Sequence, residues 1–93
     1  MSWGAVRRDS KEATIVSALV KAGCDIDYAD RKPYDIVVGK AGKTFLLEIK
    51  SLIGKRKPKK KPLTDSQRDF STEWRGHYAI VATVEEALKA VGL

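Results

Sequence analysis

Glu48 and Lys50 are the residues of this chain whose types and spacing first suggest chemistry. They sit in Phe45-Leu46-Leu47-Glu48-Ile49-Lys50-Ser51, a stretch otherwise suited to a half-buried β-strand. Residues two apart on a strand project from one face, so an acid and a base would stand side by side. Two readings are open. One is a solvated sheet face on which Lys50 makes a salt bridge to Glu48; the other is a catalytic pair. Asp35 bears on the choice. If the chain turns at Ala41-Gly42, or loops from Lys40 to Lys43, then Lys40 faces Lys43, Gly39 faces Thr44, Val37 faces Leu46 and Asp35 faces Glu48. Directly opposed residues have Cβ atoms ~4.5–5.5 Å apart, and like charges so placed destabilise a sheet. Lys50 would offset the repulsion. A hard divalent cation such as Mg²⁺ would offset it better, because it takes carboxylate and carbonyl oxygens.

That geometry requires a hairpin of two strands, Tyr34 to Gly39 and Lys43 to Ser51. Ile36, Val38, Phe45, Leu47 and Ile49 form its apolar face. Val37 and Leu46, on the acidic side, are apolar too, which places the acids at one end of a buried face, as in a cleft. A first helix is predicted from Ser10 to Ala22, capped by Asp9 or Ser10 and stopped by Gly23, with Ile15, Val16, Leu19 and Ala22 as its apolar stripe. Cys24 to Ala29 alternates as a half-exposed strand, and Arg31-Lys32-Pro33 punctuates. Thr64-Asp65-Ser66-Gln67 has the form of a capping box opening a second helix, which buries Phe70 and Trp74 and ends at Gly76. His77 to Ala82 reads as a short strand. Thr83-Val84-Glu85-Glu86 is another capping box, opening a last helix with Ala87, Leu88 and Val91 inward. The order α-β-β-β-α-β-α predicts one α/β domain over residues 1–93, a sheet with helices on its faces.

Two polar residues stay ambiguous at this level. Glu12 falls at the capping-box position if Asp9 is the N-cap, yet it shares a helical face with Val16 and Leu19. Gln67 completes the box with Thr64, yet it lies on the face of Phe70 and Trp74. Trp3 and Cys24 read as structural or unassigned, and for His77, the single histidine, at a strand start after Gly76, a catalytic role is the lesser reading.

The charge balance points to a polyanionic partner. There are 18 Lys+Arg against 12 Asp+Glu, a net charge of +6. Nucleic acid is the first expectation and an anionic membrane surface the second. No apolar run approaches the ~20 residues of a membrane span. The first residues show no apolar leader segment, and a lone cysteine fits a reducing cytoplasm. Residues 54–62 concentrate the charge in Lys55, Arg56, Lys57, Lys59, Lys60 and Lys61, a proline-bounded run read as a loop that contacts phosphate or as a solvated linker. Arg7 and Arg8 are further phosphate candidates.

Asp35, then Glu48-Ile49-Lys50 at the end of an apolar strand, resembles the signature of the PD-(D/E)XK nucleases. The proline precedes the acid as Pro33-Tyr34-Asp35, with one residue inserted. Leu63-Thr64-x-x-Gln67-x-x-Phe70-x-x-x-Trp74-x-Gly76 before a short strand is similar to the minimal VRR-NUC branch, and the likeness runs from Lys11 to Leu88. It implies a restriction-endonuclease-like αβββαβ core with a mixed four-stranded sheet flanked by helices. It also implies metal-dependent hydrolysis of phosphodiester bonds in branched DNA such as four-way junctions, by a homodimer in the cytoplasm of a bacterial or phage-infected host cell. The implied ligands of Mg²⁺ or Mn²⁺ are Glu12, Asp35, Glu48 and the Ile49 carbonyl. Asp35, Glu48, Lys50 and Gln67 would be the catalytic residues, with Lys50 orienting the attacking water or taking its proton. A non-catalytic nucleic-acid-binding module of the same fold is the alternative.

Overall fold

A computed structural model describes residues 10–29, 33–53 and 59–93. Arg7, Arg8, Lys55, Arg56 and Lys57, together with the Asp9 cap and the Arg31-Lys32 break, lie outside the described residues. Helix α1 spans Ser10–Lys21. Its apolar stripe works as the spacing predicts at Ile15 and Leu19, which are fully buried, and at Val16. Ala22 departs from the expectation: it is exposed and lies past the helix end, where Gly23 takes the left-handed conformation (φ +95°). That conformation is nearly free for glycine and lets the Cys24 N–H turn back to the Leu19 carbonyl at 3.0 Å.

Strands β1 (Asp25–Tyr28), β2 (Ile36–Lys40) and β3 (Lys43–Ile49) form an antiparallel meander. The β2–β3 register matches the predicted one at Lys40–Lys43, Gly39–Thr44 and Val37–Leu46, but the expected Asp35–Glu48 pair is not part of it: the ladder ends at Ile36–Leu47, and the Asp35 N–H also bonds Leu47. The register is set by a two-residue turn in which both Ala41 (φ +52°) and Gly42 (φ +79°) are left-handed, the twist-matched geometry of a tight hairpin.

After β3 the chain makes a small antiparallel ribbon, β4 (Leu52–Ile53) with β5 (Lys59–Lys60). Here the structure corrects the reading of 54–62 as a loop throughout. Lys59 and Lys60 have free backbone groups between two prolines, and they pair with Ile53 and Leu52. The ribbon closes with the Lys61 N–H on the Ser51 carbonyl at 3.0 Å.

Helix α2 covers Asp65–Glu73, and strand β6 (His77–Val81) returns parallel to β3. Helix α3 (Val84–Ala90) completes the chain, with Thr83 as N-cap. The sheet order is β1-β2-β3-β6, so the described residues make a small α/β fold with a mixed four-stranded sheet and three helices. Among the described residues the main core cluster lies on one face. Ile36, Val38, Phe45, Leu47 and Val81 pack there against Ile15 and Leu19 of α1 and Ala87 of α3, with Val91 just beyond it. The other face carries Leu46, Glu48, Tyr78 and Ile80, since Leu46 pairs with Tyr78 and Glu48 with Ile80. It is covered by aromatic rings: Phe70 of α2 lies 5.5 Å from Tyr34 and 5.0 Å from Tyr78. Trp74 is not buried as expected. The helix stops at Glu73, Trp74 is an extended C-cap, and its side chain is 46 % exposed. Among the described residues no helix is long and apolar enough to cross a membrane.

Candidate active site

The acidic end of the sheet is built by where β2 begins and β3 ends. Backbone pairing closes at Ile36–Leu47, so Asp35 is the first residue past the ladder. It is nonetheless held through three of its groups. Its N–H donates to the Leu47 carbonyl (2.8 Å), and its own carbonyl accepts from the Ala29 N–H (3.0 Å). Its Oδ2 accepts from the Ile49 N–H at 2.7 Å. A strand residue points its N–H and C=O to the same side. The Ile49 carbonyl therefore faces Asp35 as well, beyond the point where β2 could pair with it.

Glu48 is one residue back on β3, with 5 % exposure. Burial, and secondarily the Asp35 carboxylate, push its pKa up to about 7, against the opposing pull of Lys50 and of a hydrogen bond from Gln67. The Lys50 Nζ lies 3.7 Å from Glu48 Oε2. Its backbone N–H donates to the Val81 carbonyl at 2.8 Å. That bond extends the β3–β6 pairing past the formal strand end and fixes Lys50 on the Glu48 face.

Gln67 resolves an ambiguity of the sequence by filling both roles. Its Oε1 accepts from the Thr64 N–H (3.0 Å) while its own N–H donates to Thr64 Oγ1 (3.3 Å), the reciprocal capping box. Glu48, as a carboxylate, only accepts, so the Gln67 amide NH₂ is the group that serves it. The cap thus orients the amide toward the acid.

Tyr78 is a site residue that the sequence reading missed. Its hydroxyl donates to the Pro33 carbonyl at 2.8 Å, pinning the segment that leads into Asp35. Burial, then Glu48 and Asp35, push its pKa up to about 12, so it stays a neutral donor. The signal was the alternation along β6: Tyr78 and Ile80 share a face, and Ile80 is the partner of Glu48.

Other expectations fare differently. Glu12 is buried at 7 % near the start of α1. Lys11 ties that helix start to the Ala82 carbonyl at 2.9 Å, next to the strand end that holds Lys50. Among the described residues, however, no three Asp, Glu, His or Cys side chains form a group that could hold a metal, so the structure does not gather Glu12 with Asp35 and Glu48. His77 pairs with Phe45 at the far end of β3 and meets its ring at 4.7 Å with the planes tilted by 39°, away from the acids. Lys59 and Lys61 are exposed. Lys60 is bound at 2.8 Å to Glu86 Oε2 of α3, whose Oε1 accepts the Ala82 N–H at 2.7 Å. Lys60 therefore fastens the ribbon to the fold.

The chain matches no family model, no curated protein and no solved structure. The donor set itself fits a hard divalent ion: two carboxylates and the Ile49 carbonyl are all-oxygen ligands of the kind Mg²⁺ and Mn²⁺ take. Asp35, Glu48 and Ile49 would hold it.

Proposed function

We propose that this protein is a metal-dependent, structure-selective DNA endonuclease of the PD-(D/E)XK kind, similar to the VRR-NUC branch and built on a restriction-endonuclease-like core. The observation that carries the reading is the placement of Lys50 beside Glu48, with the Asp35 carboxylate anchored to the peptide between them. A divalent ion, when bound, supplies charge that activates water and offsets the developing charge on phosphate. Asp35 and Glu48 hold that ion. Lys50 positions the attacking water and offers a positive charge to the phosphate. A lysine keeps its proton at neutral pH unless burial strips it, so positioning ranks above proton abstraction. Gln67 restrains Glu48, and Tyr78 restrains the approach to Asp35. Exposed Lys59 and Lys61, continuous with the strand end, supply backbone contacts to DNA.

The substrate class follows from the resemblance: branched DNA such as four-way junctions, cut by a homodimer because a junction needs two incisions. Light scattering at working concentration tests the dimer, and a monomer counts against junction resolution. The products expected are 5′-phosphate and 3′-hydroxyl ends.

The deciding experiment is a panel of duplex, flap and four-way junction DNA incubated with Mg²⁺, with Mn²⁺ or with chelator. Wild type cuts branched substrates only with metal. Asp35→Asn and Lys50→Ala lose on the order of 10²-fold or more in cleavage rate while still binding DNA. Equal cutting by these variants and wild type overturns the reading. One observation favours the alternative, a binding module of the same fold that does not cut: no third acid joins the pair among the described residues. That alternative predicts salt-sensitive DNA binding and no metal-dependent product on any substrate.

A further inference from the structure

Trp74 is large, apolar and 46 % exposed, yet it is firmly supported. Its ring stacks on Phe70 at 5.2 Å with 17° between planes. Its backbone N–H donates to the Phe70 carbonyl at 2.8 Å. The indole also lies against Gly76: a Cβ there would stand 2.7 Å from Trp74 Nε1 and 2.9 Å from Cε2. Gly76 has no positive φ, so what it supplies is space for the ring and not a backbone conformation. Phe70 in turn contacts the rings of Tyr34, the neighbour of Asp35, and of Tyr78. Trp74 is thus the outer end of a row of rings whose inner end borders the acid pair.

The charges beside it are mixed: Glu73 precedes it and the exposed Arg75 follows it. Asp65, Asp69 and Glu73 recur every fourth residue along α2, while Gln67, Phe70 and Trp74 follow a different stripe. Arg75, next to Trp74, is exposed, as are Lys59 and Lys61.

We infer that Trp74 is a stacking platform for an unpaired nucleobase of the DNA substrate, which the Phe70 stack and Gly76 hold in place beside the site. The inference deepens the nuclease reading and rests on it. It assigns a preference for DNA with an unpaired strand, such as a flap, over duplex DNA to a surface residue outside the acid site. Stacking on an aromatic ring tolerates any base, because every base has a π-face. A fully paired duplex offers no such base at its flank.

The test uses the full chain carrying Trp3→Phe, so that Trp74 is the sole tryptophan of the two in the sequence. In chelator, its emission is followed on titration with a single strand, a flap and a blunt duplex. Saturable quenching by single strand and flap, with little by duplex, is expected. Trp74→Ala should weaken flap binding about tenfold and leave duplex binding unchanged. Trp74→Phe should restore most of the loss. Gly76→Ala, which keeps the ring but displaces it, should reproduce the loss with an unchanged circular dichroism spectrum. Equal quenching by duplex, or an unchanged flap-to-duplex ratio in Trp74→Ala, overturns the inference. So does emission that shifts with protein concentration in the absence of DNA, since a second copy then covers the ring. These readouts need no cleavage, so a wild type that cuts nothing with Mg²⁺ overturns only the nuclease reading.

Discussion

Glu48 ionises in a buried position, 5 % exposed, with a second carboxylate at hand. Its folded-state pKa is about 7, above the ordinary 4.5. A raised carboxyl pKa means that the folded state binds the proton more tightly than the unfolded chain does. In metal-free buffer its contribution to stability is therefore fully present below the unfolded value, and it is lost as pH rises toward the folded one. Glu48→Gln removes that dependence. Urea unfolding at about pH 5 and about pH 8 should show the wild type losing stability across the interval and the variant losing less; parallel losses would show that Glu48 is not the group responsible. Gln67 offers a second residue-scale test. Gln67→Glu keeps an acceptor for the Thr64 N–H at a helix N-terminus, where a negative charge is welcome. It replaces the amide that serves Glu48 with a third negative group. The variant should keep the thermal stability of wild type to within about 1 kcal/mol and lose cleavage. Retained cleavage would reduce Gln67 to a helix cap.

The β2–β3 hairpin is the element on which the site depends, because its turn sets the register that brings Asp35 to the end of β3. That turn carries a local cost. Ala41 sits at φ +52°, where a Cβ crowds the following carbonyl. Asn-Gly is the favoured pair for such a turn. Ala41→Asn should therefore raise unfolding free energy by about 1 kcal/mol, read from denaturant midpoints, with the cleavage rate unchanged. A loss of stability would mean that the hairpin is held by its sheet contacts in some other turn conformation. The β4–β5 ribbon is a weaker element, and two-stranded ribbons are marginal alone. Its strut is the Lys60–Glu86 pair at 2.8 Å, which also holds Glu86 below the usual carboxylate range.

For the whole molecule, the main core cluster takes one face of the sheet and leaves the other to carry Glu48 beside the Phe70 and Tyr78 rings. Ile36, Val38 and Leu47 are completely buried against α1 and α3, while Leu46 and Glu48 alternate with them toward α2. The proposed DNA binding is tested at this scale through charge. With a net charge of +6, binding should fall linearly on a log–log salt plot. Lys61→Ala should lower the slope by roughly 0.9, the share of one phosphate contact. Lys60→Ala should act mainly through stability, because its ammonium is already spent on Glu86. Equal slopes for wild type and Lys61→Ala would remove Lys61 from the DNA contact.

The sequence by itself determined the three helices, the four strands of the main sheet and the register next to the turn, because periodicity, caps and a glycine turn are local signals; the β4–β5 ribbon escaped it. Ile15 and Leu19 on α1, the Thr64 box and the Lys40–Lys43 pairing all follow from neighbours in the chain. Strand alternation also put Glu48 and Lys50 on one face, but it did not fix Asp35, which stands one residue past the ladder with its carboxylate on the Ile49 N–H and not directly opposite Glu48. What the sequence left open depended on contacts between distant segments. Only the tertiary structure decided that Gln67 serves the cap and Glu48 together, that Tyr78 pins Pro33 across 45 residues, and that Lys60 is tied to Glu86. It likewise decided that Glu12 stands buried but outside any closed acid cluster among the described residues. Trp74 is the sharpest case. Helical spacing assigns it to the core, but the helix ends one residue before it, and the chain turns its indole outward over Gly76.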